Sequence, residues 1–435
     1  MNYEKSKALQ QISHRLIPGG CHTYAKGDDQ YPELSPAFLL KGKGSHVWDV
    51  DGNEYIEYGM GGRAVTLGHA YEPVVEAAYR QMLIGSAFNR PSPIEIECAE
   101  KLLSLIEGAE MVKFGKNGSD ANDGAIKLAR AYTGRNRVAI CEDHPFFSVA
   151  DWFIGITAMA AGIPEVIRNL TVKFHYNDTQ SVQALFDQYP GDIACVILEP
   201  EKYDPPENGF LHKVQRMCQE NGALFILDEI ITGFRLHLGG AQKLYEIVPD
   251  LSSFGKALGN GFSVSALVGK KEIMELGGLH HRKERVFLLS LTHGAECHAL
   301  AAAIETMKIY EREPVIEHLY RQGRRLIEGI NQSVEANQLK DYFGVIGKPS
   351  NLVFYTLGQD MKPSQSYRTL FLQETIKHGL LMPSLIVSYS HTDEDIEKTI
   401  EGINKALKVY RKALDDGADR YLVGPPSKIV MRTYN

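Results

Sequence analysis

The chain has 435 residues, too many for one small core and enough for about two domains of roughly 100–200 residues each. Its content, 44% hydrophobic and 23% charged, is that of an ordinary globular protein, and a formal net charge of −7 provides no basic field for nucleic acid or anionic lipid. Six cysteines stand singly with no CxxC pair, which argues against a zinc site or a disulfide framework and for a reducing cytoplasm.

In chain order, "MNYEKSKALQQISHRLIPGG" predicts a charged amphipathic helix that stops by Gly20, where Pro18 and two glycines cannot continue it. It lacks the apolar stretch of a signal segment, and no run approaches the roughly 18 apolar residues of a membrane span, so no membrane partner is expected. "HVWDVDGNEYIEYGMG" alternates around an Asp-Gly turn and predicts a hairpin. From about Glu72, helical periods alternate with the short apolar runs "MVKFG", "RVAICE", "LTVKFH", "ACVILEP", "ALFILDE" and "SALVG". Runs apolar on both faces are what a mostly parallel sheet covered by helices requires, so the fold class is α/β. After Thr292 comes a helix over "AECHALAAAIETMKIYERE", then a smaller α+β unit, and last an aperiodic tail, "RYLVGPPSKIVMRTYN", expected to lie on the surface or on a partner. These shifts suggest an N-terminal segment over 1–60 that contributes to the small domain, a large domain over 61–310, and a C-terminal small domain over 311–435.

In open α/β sheets ligands gather beyond the carboxyl ends of the strands. Four such ends carry unusual residues. "FGKNGSDANDGAIKLARAYTG" runs a strand into Asn117, Gly118, Ser119 and Asp120 at the start of a helix, which suits either a phosphate or an ordinary N-cap. "ALFILDEIITGFR" places Asp228 and Glu229 directly after buried positions, where a carboxylate needs a cationic or donor partner; a structural ion pair would also supply one. "EDHPFFSVADW" sets His144, Phe146 and Phe147 after a strand, as an aromatic face for a planar ligand or as core. Lys256, in "PDLSSFGKALGNGFSVSALVG", is a nucleophile if its surroundings lower its pKa and hold it still, and otherwise a solvated surface lysine. Together the four supply what pyridoxal phosphate needs: an anchored phosphate, a stacked ring, a protonated ring nitrogen and an amine for its aldehyde.

The same residues resemble a known family. The segments "IPGGCHTYAKG", "NGSDANDGAIKLARAYTGR", "LFILDEIITGFR", "PDLSSFGKALGNGFSVSALVGKKEIM" and "THGAECHALAAAIETM", with the 28-position interval from Asp228 to Lys256, are similar to the fold type I class III aminotransferases, in the branch of glutamate-1-semialdehyde aminomutase. The resemblance implies that Lys256 joins the cofactor's aldehyde and shuttles a proton, and that Asp228 pairs with the ring nitrogen. It implies that Asn117, Gly118 and Ser119 hold the phosphate, that Phe146 stacks on the ring, and that Glu199 and Ile230 belong to the cofactor site. Thr292 stands where the family supplies a phosphate ligand to the neighbouring subunit, which implies a homodimer. No metal is implied.

Departures from the aminomutase pattern bear on the substrate. Lys26 stands where the branch carries an arginine for the substrate carboxylate, and lysine cannot copy the two-pronged guanidinium. "MPSLIVSYSHTDED" lacks the active-site glutamate found near the family's C-terminal end, and Phe147-Ser148 replaces a His-Gly pair. A pocket with His22, Thr23, Tyr24, Lys26, Arg63 and His293 would suit a polyhydroxylated substrate. The expectation is a ping-pong transaminase that moves an amino group from glutamate to a polar carbonyl compound such as a keto- or aldehydo-sugar. An intramolecular aminomutase, a racemase or epimerase, and a noncatalytic binding protein are the alternatives.

Overall fold

The structure is a computed structural model that describes residues 1–144 and 146–435. The chain divides into two compact units, one of residues 1–71 with 317–435 and one of residues 72–316.

The first unit opens with helix α1 (Glu4–Leu16), which ends at Ile17 and a single turn at Pro18–Gly20, as the proline and glycines require. Strands β1 (Leu39–Lys43), β2 (His46–Asp49) and β3 (Glu54–Glu57) form an antiparallel meander. In the β2–β3 turn, Asp49 Oδ1 accepts from the N–H groups of Asp51 and Asn53 at 3.0 and 2.8 Å. The hairpin is where the alternation puts it; β1 escaped notice because its burial does not alternate.

The second unit holds α2 (Glu72–Ile84), α3 (Pro93–Leu105), β4 (Met111–Gly115), α4 (Gly118–Thr133), β5 (Arg137–Cys141), β6 (Thr171–Phe174), α5 (Thr179–Gln188), β7 (Ile193–Leu198), α6 (Phe210–Asn221), β8 (Leu224–Asp228), β9 (Leu251–Phe254), β10 (Ser265–Gly269) and α7 (Cys297–Arg312). Its sheet runs β4-β10-β9-β8-β7-β5-β6. The β9-β8-β7-β5-β6 pairs are parallel, and β10 is antiparallel to both of its neighbours. Every residue of β7, β8 and β10 is buried, the consequence of runs apolar on both faces. Strand β9, "LSSF", was not expected as a strand, because two serines break the apolar run. Both serines are buried and bonded: Ser252 Oγ donates to Gln242 at 2.9 Å and Ser253 Oγ to Asp228 at 3.4 Å.

The first unit resumes with α8 (Val315–Ala336), β11 (Phe343–Ile346), β12 (Val353–Thr356), α9 (Gln365–Lys377), β13 (Leu380–Leu381) and α10 (Asp393–Asp416). β13 pairs parallel with β3, which joins the N-terminal meander to the C-terminal α+β region. The boundaries expected at 60/61 and 310/311 move for physical reasons. Residues 61–71 belong with the meander: Gly44 and His69 exchange two backbone bonds at 2.8 Å, and Tyr389 N–H donates to Thr66 at 2.8 Å. At the other boundary α7 carries the second unit on to Arg312. The tail is aperiodic and tied to its own unit, with Ser427 N–H on Thr369 and Arg432 on Asp29 at 2.8 and 2.7 Å. Among the described residues no helix is long and apolar enough to cross a membrane, and no group of three or more His, Cys, Asp or Glu could hold a metal ion.

Candidate active site

Strand direction collects the chemistry on one edge of the second unit's sheet. β5, β7, β8 and β9 are parallel, and β4 runs the same way because β10 opposes both β4 and β9. Their carboxyl ends lead to His144, Glu199, Asp228, Lys256 and the Asn117-Gly118-Ser119 turn. The pairings Leu198 with Leu227 and Asp228 with Ser253 put Glu199, Asp228 and the approach to Lys256 on neighbouring strands.

Asp228 is 4% exposed. Its Oδ1 accepts from Ile230 N–H at 3.0 Å and from Ser253 Oγ, and its Oδ2 accepts from Asn122 Nδ2 at 2.8 Å. Burial pushes the carboxyl up, against the pull of Ile230 N–H, Asn122, the Lys256 cation and Ser253. A carboxylate so placed keeps its charge best opposite a cation, which is what the protonated ring nitrogen of pyridoxal phosphate presents. Its neighbour Glu229 does different work: it accepts from Thr232 Oγ1, Ala241 N–H and Gln242 N–H, and burial raises it to about 7. Glu229 is tied into its own backbone turn, whereas Asp228 is held at the strand edge by Asn122, Ser253 and Ile230 N–H.

Asn122 was missed in the sequence. It is fully buried, and its Nδ2 bridges Asp228 and the Phe147 carbonyl, the latter at 2.7 Å. With acceptors on both sides the amide has one sensible orientation, which leaves Oδ1 buried without a partner. The available signal was a polar residue among Ala121, Ala125, Leu128 and Ala129 on the buried face of α4.

The turn before α4 is held from behind. Asp120 Oδ2 accepts from the N–H groups of Lys116 and Asn117 at 2.9 and 2.8 Å. Ser119 Oγ accepts from Val149 N–H at 3.1 Å, so its own hydrogen is left to donate, beside the positive end of a 16-residue helix. A Cβ on Gly118 would meet three Ile230 carbons at 3.0 to 3.2 Å, and one on Gly255 would meet Ile230 at 3.1 Å. Ile230 thus sits between the phosphate turn and the lysine loop. Lys256 itself has φ +45° in a single turn, Lys256–Gly259, with Ala257, Leu258 and Gly259 buried behind it. A lysine held in the left-handed region is a strained position of the kind found at functional sites. The set fits pyridoxal phosphate: a close-approach glycine, a hydroxyl donor, a buried carboxylate and a lysine in a strained turn.

The two phenylalanines divide. Phe146 is 44% exposed and meets Phe153 edge-on at 5.5 Å, whereas Phe147 is 2% exposed and belongs to the core. Pro145 lies outside the described residues. Glu199 is buried, and its N–H donates to His144 Nδ1 at 3.1 Å; burial pulls that imidazole down to about 3 and keeps it neutral.

Thr292 is exposed, and among the described residues its hydroxyl makes no hydrogen bond to this chain. His293 pairs with Glu296 at 3.1 Å. The other substrate candidates belong to the first unit. His22, Thr23, Tyr24 and Lys26 are exposed around a single turn, and Arg63, at φ +69°, donates to Asn351 at 3.3 Å.

The family described as aminotransferase class-III matches residues 26–407. Glutamate-1-semialdehyde 2,1-aminomutase of Francisella philomiragia is 34% identical over 427 residues, which span 92% of this chain and 97% of that protein. Among solved structures, the PLP-containing FumI protein of Sphingopyxis sp. MTA144 superposes with a TM-score of 0.87 at 28% identity, covering 98% of this chain and 99% of its own. An omega-transaminase from Sphaerobacter thermophilus gives a TM-score of 0.84 at 24% identity, over 94% and 100% of the two chains.

Proposed function

The chain belongs to the class III aminotransferases and is a pyridoxal-phosphate enzyme, and on that premise we propose that it transfers an amino group between two molecules, from glutamate to a polar carbonyl acceptor such as a keto- or aldehydo-sugar. Bound pyridoxal phosphate supplies the electron sink for the charge left when a Cα proton departs. Lys256 would hold the cofactor's aldehyde, and its Nζ would be the base that takes up and hands on that proton. Asp228 would keep the ring nitrogen protonated, and Asn122 and Ile230 N–H hold Asp228 in place. Ser119 Oγ–H and the first-turn N–H groups of α4 would hold the phosphate, and Phe146 and Ile230 would flank the ring. Glu199, tied through its N–H to neutral His144, closes the same edge. Thr292 completes the phosphate site of a second copy, so the working unit is a homodimer, and the setting is the reducing cytoplasm.

Transfer between molecules, in preference to transfer within one, is carried by the segment from Met382 to His391. It contains no carboxylate, and Leu385, Ile386 and Val387 are fully buried. The aminomutase reading is favoured by relatives such as the Francisella enzyme, and one experiment separates the two. The purified enzyme is converted to its pyridoxamine form and mixed with a panel of carbonyl compounds, glutamate-1-semialdehyde among them, while return of the aldehyde absorbance is followed. Intermolecular transfer predicts return with a polar carbonyl acceptor and steady turnover only with an external amino donor. Turnover of glutamate-1-semialdehyde alone, without a donor, would establish the aminomutase instead.

A further inference from the structure

Helix α4 has 16 residues, so its carboxyl end lies roughly 24 Å from the phosphate turn at about 1.5 Å per residue. At that end a cavity of about 520 Å³ is lined by Lys127, Arg130, Arg135, Lys283 and Arg285, against one acid, Glu284. Among the described residues none of the five cations has a carboxylate within 4.0 Å. Elsewhere cations of this chain do pair, as Lys243 with Glu107 and Arg411 with Asp415. What sets this hollow apart is the grouping: five positive charges around one cavity with a single acid, in a chain of net charge −7.

Local structure accounts for part of the set. Arg130 Nε donates to the Asn136 carbonyl at 2.8 Å, and Arg135 Nη1 to the carbonyls of Ile193 and Asn221 at 3.1 and 2.7 Å. The negative end of α4 also favours a cation, but that effect fades beyond the last turn and does not reach a separate segment such as 283–285. Lys127 and Lys283 lie over the rings of Phe287 and Tyr132, and Arg285 Nε reaches only the Gly277 carbonyl, at 3.5 Å. Like charges held together repel, so the hollow favours an anion that matches them.

We propose that this cavity binds a small polyanion carrying two or more phosphate groups, at a site separate from the cofactor. A single phosphate leaves most of the five charges unmatched, whereas a chain of phosphates reaches both the α4 side and the 283–285 side. The volume is that of a small-molecule pocket.

The test is calorimetric titration of the holoenzyme with sodium tripolyphosphate. One site per chain is expected, with affinity falling as salt screens the charges, a rise in Tm, and an unchanged cofactor spectrum. The triple variant Lys127→Gln, Lys283→Gln, Arg285→Gln spares the two backbone-anchored arginines; it should bind about tenfold more weakly or worse and lose the Tm rise, with turnover unaltered. Glu284→Gln should bind more tightly. Absence of both heat and a Tm rise at millimolar tripolyphosphate overturns the proposal, as does equal affinity for inorganic phosphate or unchanged binding by the triple variant.

Discussion

Asn122 carries more of the site than its place in the sequence suggests. Without it, Asp228 Oδ2 loses its donor and the Phe147 carbonyl loses its tie to α4. A hydrogen bond to a charged group is worth about 1.5–3 kcal/mol. Asn122→Leu should therefore weaken pyridoxal phosphate binding by about ten- to a hundredfold, read by fluorescence titration of the apoenzyme; unchanged affinity would show that Asp228 needs no help. Asp228 could be singled out because it closes an apolar run in an α/β pattern, where a charged side chain has few other reasons to be; Lys256, after a strand the sequence does not reveal, stood out only in combination with the other three stretches. Asn122 did not stand out, because its importance lies in what it touches and not in its spacing. Phe146 was singled out over Phe147 only through the resemblance, since adjacent residues after a strand point opposite ways and nothing in "PFFS" itself says which ring is buried.

At the level of elements, the site depends on Ile230 fitting between two backbone turns. Gly118→Ala would press a methyl group against three of its carbons at 3.0 to 3.2 Å, an overpacking that costs about 1–3 kcal/mol. The variant should melt lower and bind the cofactor more weakly, and the double variant Gly118→Ala, Ile230→Val should recover much of the loss. Additive losses in that double-mutant cycle would remove Ile230 from the contact. The apolar strands could be read from their runs, but β9 could not, since its serines are buried through side-chain hydrogen bonds that no hydropathy pattern encodes. Nor could the reversal of β10, because a strand buried on both faces reads alike in either direction.

For the whole molecule, two buried histidines make the fold sensitive to acid. His391, in the first unit, accepts from Ser388 N–H at 2.9 Å, and burial pulls it down to about 4; His144, in the second unit, is pulled down to about 3. Both folded values lie below the ordinary 6.5 of the unfolded chain, so the unfolded state takes up the protons first. The stability they contribute is whole above about pH 6.5 and is lost as the pH falls toward 4, by roughly 1.4 kcal/mol per unit for each group. Glu229, raised to about 7, opposes one of the two over the same window, so the test is the difference between proteins: with falling pH, Tm should be lost less steeply in His391→Asn than in the wild type, and an equal slope would clear His391. Thr292→Ala should weaken cofactor retention without moving the sedimentation coefficient from that of a dimer, whereas a wild-type monomer with full activity would contradict the shared site. The division of the chain was only partly legible, because residues 61–71 join their unit through backbone bonds to distant segments that composition does not reveal.

The most direct measurement reduces the purified enzyme with borohydride, digests it and locates the phosphopyridoxyl group by mass spectrometry. The account predicts a single modified peptide, bearing the group on Lys256, and none from Lys256→Ala. A group found on another lysine, or no group in protein that still turns over, would contradict it.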